Sequence, residues 1–316
     1  MLQIIQPGSL TTVQDRGRLG YQRYGVPVSG PMDRFAFGIA NLLAGNHQDA
    51  ACLEVTLFGP ELKVLEDSVI AVTGADFPVT LDGQPMPMWQ SLKVNHRGSV
   101  ISFGVAGTGC RAYLAIRGGI KNIPRILGSQ STYTRKGALG QGEIKPLGTD
   151  DIIEAGIPVE RAGYQQRILS AEFIPRYPDE ITLRVIMGPQ NDYFTPEGIK
   201  TFLASEYKVT TNSDRMGYRL EGPPIEHSES GEIISDGVPL GAVQVPGDRM
   251  PIILMADRQT TGGYPKIATV ITVDTYKLAQ ARPDNRVRFS AVSIQEAISE
   301  LRKVENIFQL IHRSSR

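Results

Sequence analysis

Eight short apolar runs, each closed off by glycine, proline or aspartate, limit the architectures open to this 316-residue chain. They fall at 53–58, 69–73, 99–105, 113–117, 183–187, 252–256, 268–273 and 287–290, and β-branched residues are frequent in them. Such runs read as strands, because branched side chains suit a pleated surface and Gly or Pro ends the ladder. Many short strands at close spacing favour barrels or sandwiches over alternating βαβ units. The 33 glycines and 21 prolines supply the punctuation.

Helices are few. In "GPMDRFAFGIANLLAGN" (30–46), Pro31 suits the first helical position, Phe35, Ile39 and Leu42 share a face, and Gly45 ends the helix. A second starts at Thr195 and Pro196 and carries Ile199, Phe202 and Leu203. The last opens on a capping box, Ser293 with Glu296, and its spacing predicts burial of Ile294, Ala297, Ile298, Leu301, Val304, Phe308 and Ile311.

Between 156 and 181, Pro158, Pro175 and Pro178 interrupt a stretch with little two-residue alternation. The expected organisation is therefore a β-barrel subdomain over 1–160, a linker over 161–180, and a second barrel subdomain over 181–316 that includes the C-terminal helix. An internal echo supports two related halves: "TTVQDRGRLGY" (11–21) parallels "TTNSDRMGY" (210–218), and "LEVTLFGP" (53–60) parallels "LRVIMGP" (183–189).

Several function classes drop out. Lysine plus arginine equals aspartate plus glutamate at 33 each, so no bulk charge draws the chain to nucleic acid or an anionic membrane. No apolar run approaches the roughly 20 residues of a membrane helix, and "MLQIIQPGS" has no basic leader region. Cys52 and Cys110 read as buried, reduced thiols, and the expected compartment is the cytoplasm. The four histidines lack ligand spacing, so no metal site is expected. There is no phosphate-loop motif and no G-x-S-x-G nucleophile elbow. "GALGQGE" (137–143) lacks the lysine and the helix a phosphate cradle needs, and no "AMKM"-like segment offers a lysine for biotin.

What remains is a pattern that occurs three times: "DRGRLGY" (15–21), "DRMGY" (214–218) and "DRQTTGGYP" (257–265). Each reads as a turn in which Asp accepts backbone N–H bonds, Gly takes positive φ and Tyr packs over the turn. The alternative is a loop whose glycines let backbone approach a ligand while hydroxyls and arginine donate to an oxyanion or carboxylate. Gln259, Thr260 and Thr261 give the last loop more hydrogen-bonding groups than a plain hairpin needs. The loop "LGSQSTYTRKG" (127–137) adds Ser129, Ser131, Thr132 and Arg135. The stretch 7–33 is too polar and glycine-rich for a core strand and too long for a hairpin turn, which marks it as functional, with Arg16, Arg18 and Arg23 available to an anion.

These loops also carry a family resemblance. "PGSLTTVQDRGRLGYQRYGVPVSGPMD", "VTGAD", "RAYLAIRGG", "LGSQST", "SDRMGYRLEG", "GAVQVP" and "DRQTTGGYP" occur in this order from 7 to 265. Together they resemble the KipA/PxpC family, which includes the C subunit of 5-oxoprolinase and the second part of the urea carboxylase carboxyltransferase domain. The resemblance runs from about 7 to 289. It departs at Gly137-Ala138 and Gly140-Gln141, where the family carries "GG…GR", and at "PGDRMP" (246–251), where it carries "P-x-D-G-x-P".

The resemblance implies a mainly β fold of two cyclophilin-like β-barrel subdomains with a few flanking helices. It implies one subunit of a hetero-oligomeric, ATP-dependent 5-oxoprolinase, beside KipI/PxpB-like and PxpA-like partners, with ATP used by the assembled complex and the chain inactive alone. It also allows a biotin-dependent carboxyltransferase acting on a urea- or amide-like acceptor, biotin entering only there, or an antagonist of a KipI-like histidine-kinase inhibitor. Together with the polar-loop argument it nominates Asp257, Thr260, Thr261 and Tyr264 for catalysis. Gln14, Asp15, Arg18, Ser129, Arg215, Gln244 and Gln259 are nominated for a small-molecule substrate.

Overall fold

The structure, a computed structural model, describes residues 1–135, 144–156 and 164–313. "GALGQGE" lies outside the described residues. The chain is mainly β, with a closed seven-stranded barrel, a second sheet-rich region and few helices. All eight apolar runs fall in strands: Cys52–Thr56, Ser68–Gly74, Val100–Phe103, Arg111–Ile116, Glu180–Met187, Ile252–Leu254, Lys266–Val270 and Arg286–Ala291. Two compact units result. Met1–Arg18, Ser29–Tyr177 and Asn306–Arg316 form the first, and Leu19–Val28 with Pro178–Glu305 the second.

In the first unit a six-stranded sheet (Ile152–Ile153, Leu2–Gln6, Glu61–Val64, Val100–Phe103, Val79–Leu81, Gln84–Pro85) accompanies a five-stranded one (Leu10–Gln14, Cys52–Thr56, Arg111–Ile116, Ser68–Gly74, Ser91–Val94). Leu2, Ile4, Leu62 and Ile101 from the former share one core with Val13, Leu53, Val55, Val72 and Leu114 from the latter. The alternate positions of the five-stranded sheet, Cys52, Ala71, Tyr113 and Ala115, pack instead with Ala36, Phe37, Ile39, Ala40 and Leu43 of helix α1 (Arg34–Ala44). Both faces are thus covered, and Cys52–Thr56 and Arg111–Ile116 are buried at every position.

Two expectations are corrected here. Leu10–Gln14 is a strand with Thr11 to Gln14 buried, although its stretch reads as too polar for one. Its threonines are β-branched, and its open edge is covered by Thr132, whose N–H bonds Val13 O at 2.8 Å, and by Leu147, whose N–H bonds Thr11 O at 2.9 Å. Helix α1 starts after Asp33, which caps Ala36 N at 2.9 Å, and not at Pro31. Asp33 is itself extended, at φ of −103° and ψ of 94°, so helical backbone begins only at Arg34, and the N–H groups of Met32 and Asp33 bond Glu54 and Tyr113 on the sheet. Gly45 closes the helix with φ of 88°.

The second unit is the barrel, in the order Glu180–Met187, Lys266–Val270, Ala242–Gln244, Ile252–Leu254, Gly217–Glu221, Tyr207–Val209 and Arg286–Ala291. It closes through a parallel pairing of Glu180–Val185 with Arg286–Ala291. Ile181, Leu183 and Val185 point inward while Glu180 and Thr182 are exposed, the period-two pattern of a strand with one wet face. Helix α2 (Pro196–Ala204), capped by Thr195, contributes Phe202, which stacks on Phe289 at 4.3 Å. Asp274 leads into the short α3 (Thr275–Ala279).

Helix α4 (Ile294–Arg313) begins at the expected capping box: Glu296 accepts from Ser293 N at 2.7 Å and Ser293 Oγ accepts from Glu296 N at 3.2 Å. Its apolar stripe is not buried as expected. Ile294, Ile298 and Leu301 are 56%, 44% and 36% exposed. Apolar packing is seen near its end, where the Phe308 ring sits 5.8 Å from Phe35 and over Gly38, at which an added Cβ would lie 2.6 Å from the ring. Among the described residues no helix is long and apolar enough to cross a membrane.

Arg184 ties the outside of the barrel together. It donates to Asp274 at 2.9 and 2.7 Å, and its Nη1 lies 2.9 Å from Glu300. Burial raises the Asp274 carboxyl, but the hydrogen bonds from Arg184 and the charge of Lys277 outweigh it and hold the group below the usual range. Lys303 and then Arg184 hold Glu300 at about 2. Both folded values lie below the unfolded ones, roughly 4. Their contribution is therefore complete above about pH 4 and lost as pH falls through the folded values. Melting temperature followed by circular dichroism is expected to fall between about pH 4 and pH 2. Arg184→Met is expected to lower it at neutral pH and to flatten that acid limb.

Candidate functional site

Each unit builds a polar cluster. In the first, strand Leu10–Gln14 ends at Asp15, and its carboxylate collects four donors. Gly17 N donates at 2.9 Å, Gln130 N at 2.7 Å and Ser131 Oγ at 2.7 Å, with Ser129 Oγ the fourth. The Gly17 bond closes a turn at φ of 91°, the local solution expected of an Asp-Arg-Gly stretch. The other three carry a loop more than a hundred residues away onto the strand end. Arg18 is fully buried and donates from Nη2 to Ser131 O. Gln14, also fully buried, donates from Nε2 to Thr12 Oγ1 at 3.1 Å and to Thr132 O at 3.2 Å.

The cluster continues across the helix-covered face of the five-stranded sheet. Gln14 pairs with Cys52, Thr12 with Glu54, and Glu54 with Tyr113. Side chains of paired residues share a face, so Gln14, Glu54, Tyr113 and Arg111 line it together. Tyr113 donates to Glu54 at 2.7 Å and accepts from Asp33 N at 2.7 Å, while Arg111 Nε stands 3.9 Å from Glu54. Burial, then Glu54 and Asp33, push the Tyr113 phenol well above its ordinary value, so it remains a donor and not a base. Burial, then Glu54 and Asp15, likewise raise the Cys52 thiol and remove it as a nucleophile.

In the second unit the sequence echo becomes a contact. Arg215, from "DRMGY", grips Asp257, from "DRQTTGGYP", with two bonds of 3.0 Å, and both side chains are buried. Asp257 N also donates to Arg215 O at 2.8 Å, extending the pairing of Gly217 with Leu254. Asp214 meanwhile accepts from Met216 N at 2.7 Å, as Asp15 does from Gly17 N. Arg258 is buried and donates to the carbonyls of Val238 and Met255.

Beyond this clamp the loop returns as a two-residue strand, Thr261–Gly262, on Asp236–Gly237. Gly262 is not in the positive-φ region; its requirement is space. A Cβ there would stand 2.8 Å from Gln244 Nε2 and 2.9 Å from Gln259 Nε2. Gln244 donates to Tyr264 O at 3.3 Å. Lys266, almost fully buried, donates from Nζ to the exposed Asp236 at 2.9 Å, and its backbone N–H reaches Gln190 at 3.2 Å.

The structure therefore brings Gln14, Asp15, Arg18 and Ser129 into one network and joins Arg215 to Asp257 and Gln244 to the Tyr264 backbone. Asp257 is wholly buried, Thr260 is half-buried, and Gln259, Thr261 and Tyr264 are exposed. Arg16 and Arg23 are exposed, so of the arginines in 7–33 Arg18 alone is enclosed; Arg135 is also exposed. Sequence reasoning missed Glu54, Tyr113, Ser29 and Lys266. Glu54 within "CLEVT" was the legible signal, a carboxylate inside a run of otherwise strand-forming residues. Among the described residues no group of His, Cys, Asp and Glu could hold a metal ion. Enclosed carboxamides, hydroxyls and arginine suit the binding of a small polar molecule.

A family model described as carboxyltransferase domain, subdomain A and B, matches residues 24–291. The C subunit of 5-oxoprolinase from Haemophilus influenzae is 36% identical over 314 residues, covering 99% of this chain and 98% of that protein. A urea amidolyase of Lachancea kluyveri is 35% identical over 93% of this chain, which spans only 17% of that protein. The crystal structure of the K. lactis urea amidolyase superimposes with a TM-score of 0.91 at 31% identity, over 98% of this chain and 20% of that one.

The Arg215–Asp257 pair yields a stability prediction. Asp257→Asn leaves a buried guanidinium uncompensated and is expected to cost about 3–5 kcal/mol by denaturant unfolding. The double change Arg215→Met with Asp257→Leu is expected to recover most of that loss, since no charge is then left unpaired.

Proposed function

The chain belongs to the carboxyltransferase subdomain A and B family that includes the C subunit of 5-oxoprolinase, and from that membership we propose that it is itself the C subunit of an ATP-dependent 5-oxoprolinase. The complex opens the lactam of 5-oxo-L-proline to L-glutamate in the cytoplasm, together with KipI/PxpB-like and PxpA-like subunits. The observation that carries this reading is the 36% identity over 314 residues to a protein named as the C subunit of a 5-oxoprolinase.

A lactam carbonyl resists water, and ATP, used by the assembled complex, supplies a phosphoryl group to activate its oxygen. What this chain contributes is binding and orientation. Arg18 offers a fixed positive charge to the substrate carboxylate, held in place by Ser131 O while Asp15 anchors the surrounding loop. In the second unit the Arg215–Asp257 clamp sets the loop from which Thr260, Thr261 and Tyr264 present hydroxyls toward charge that develops in the transition state.

A second reading, biotin-dependent carboxyl transfer to a urea-like acceptor, is favoured by the close superposition on the urea amidolyase. It needs a biotin carrier and a biotin carboxylase.

Reconstitution separates the two. The chain, mixed with its B-type and A-type partners, is expected to support ATP-dependent glutamate release from 5-oxoproline; undiminished release without it would overturn the proposal. Bicarbonate-dependent carboxylation of urea with a biotin carrier would install the second reading instead. Within the active complex, Thr261→Val removes one exposed hydroxyl from a strand position that valine suits. Turnover is expected to fall about 10²-fold or more while the melting temperature holds. Unchanged turnover would make the loop architecture only.

A further inference from the structure

A buried ammonium in the second unit is paired with a carboxylate that stands in water. The Lys266 side chain is 3% exposed, and its one acceptor among the described residues is Asp236 Oδ2 at 2.9 Å, on a side chain that is 56% exposed. An ammonium carries three donors, so two of them are left over where little water reaches. Such a pair is a weak reason to bury a lysine. The cation loses its hydration, while solvent at the open end screens the attraction that should offset the loss.

Asp236 is free to turn away. Residues 234–237 are all exposed, Ile234 to 95%, so its side chain can swing from one wet position to another. Its backbone is held meanwhile by pairing with Gly262. What the carboxylate would leave behind is a set of donors. Gln190 accepts from Lys266 N at 3.2 Å through Oε1, which leaves its Nε2 to donate. That side chain reaches Asp236 too: the Lys266 bond first, then Gly237 N, the Lys266 charge and Gln190 hold the Asp236 carboxyl below its usual range. Gln244 pairs with Lys266 across the barrel ladder, and paired side chains share a face. Its Nε2 lies 2.8 Å from where a Cβ would stand on Gly262, the residue opposite Asp236. These contacts join Lys266, Gln190 and Asp236 to the loop that carries the exposed Thr261 and Tyr264.

We propose that Lys266, with Gln190 beside it, is an oxyanion-binding site, which Asp236 fills as a displaceable internal acceptor until a ligand arrives. The space the ligand needs is the volume that the Asp236 carboxylate vacates. A replacement for a carboxylate presents two or more oxygens on one centre, as a phosphoryl group or a second carboxylate does. The choice of a phosphoryl group rests on the lactam-opening reading above, in which ATP activates a carbonyl oxygen; the site itself does not depend on that reading.

The probes are inorganic phosphate and acetate, with chloride at matched ionic strength as the control, titrated into the full chain by calorimetry. Asp236→Asn keeps the shape and an acceptor oxygen for Lys266 but removes the competing charge. It is expected to bind phosphate about tenfold more tightly than the wild type. Lys266→Met is expected to bind at least about tenfold more weakly. This second variant leaves only Asp236 without a partner, and water serves that group, so its circular dichroism is expected to match the wild type. A purely structural ion pair predicts the opposite for the first variant, a lower melting temperature and no gain in affinity. Phosphate binding absent from both the wild type and Asp236→Asn, no tighter in Asp236→Asn, or unchanged in Lys266→Met would each overturn the site. Acetate bound more tightly than phosphate would keep the site and overturn the phosphoryl choice. Glutamate release by the reconstituted complex reports on the oxoprolinase reading separately. Phosphate binding that follows the two variants, without release, would remove that reading and keep the site; release without such binding would do the reverse.

Discussion

Because the five-stranded sheet of the first unit is covered on both faces, a polar side chain on it has no water to turn to and must find its partners within the protein. One face accepts this constraint by being almost wholly apolar, and its buried Thr11 gives its hydroxyl to Pro7 O. The other carries Thr12, Gln14, Glu54, Arg111 and Tyr113, and helix α1 lies over it. The cost of burying such groups is met by recruiting backbone. The N–H groups of Met32 and Asp33, just ahead of α1, serve Glu54 and Tyr113, and the loop around Ser129 to Thr132 is drawn onto the strand end by the carboxylate of Asp15. The start of α1, the closure of a sheet edge and the shape of the polar face are therefore one problem with one solution.

The barrel of the second unit meets the same constraint with a charge pair. Arg215 and Asp257 leave neighbouring strand ends and satisfy one another so completely that both can be buried. Their rigidity is passed to the loop that follows, where Gly262 lets the Gln244 and Gln259 amides come within contact distance of the backbone. Rigid support beneath a loop with exposed hydroxyls is what oriented donors require.

The three Asp-Arg…Gly-Tyr stretches show how one local pattern serves different ends. Asp15 and Asp214 accept backbone N–H groups two residues on, the turn chemistry their sequence announces. Asp257 stands in the same pattern and its carboxylate goes elsewhere, because Arg215 is across the ladder from it. The local sequence cannot distinguish these cases, since the partner that decides lies 42 residues away.

By itself the sequence determined eight of the strands and several of the helix ends, though not the strand Leu10–Gln14 or the start of α1. Branched residues between Gly and Pro report a backbone preference that acts within a few residues, and so do Thr195, Ser293 with Glu296, and Gly45 as caps. It also marked the polar loops that hold Asp15, Ser129 and Asp257, because hydroxyls and amides crowd there beyond what a turn uses. Tertiary structure alone decided which of these groups are enclosed. Gln14 and Ser29 are ordinary polar residues until a sheet edge and a chain crossing shut them from water, and Glu54 becomes part of a network only through its register with Tyr113. The same reason, in reverse, explains helix α4: periodicity states that Ile294, Ile298 and Leu301 share a face, and only the packing of other elements decides whether that face is covered.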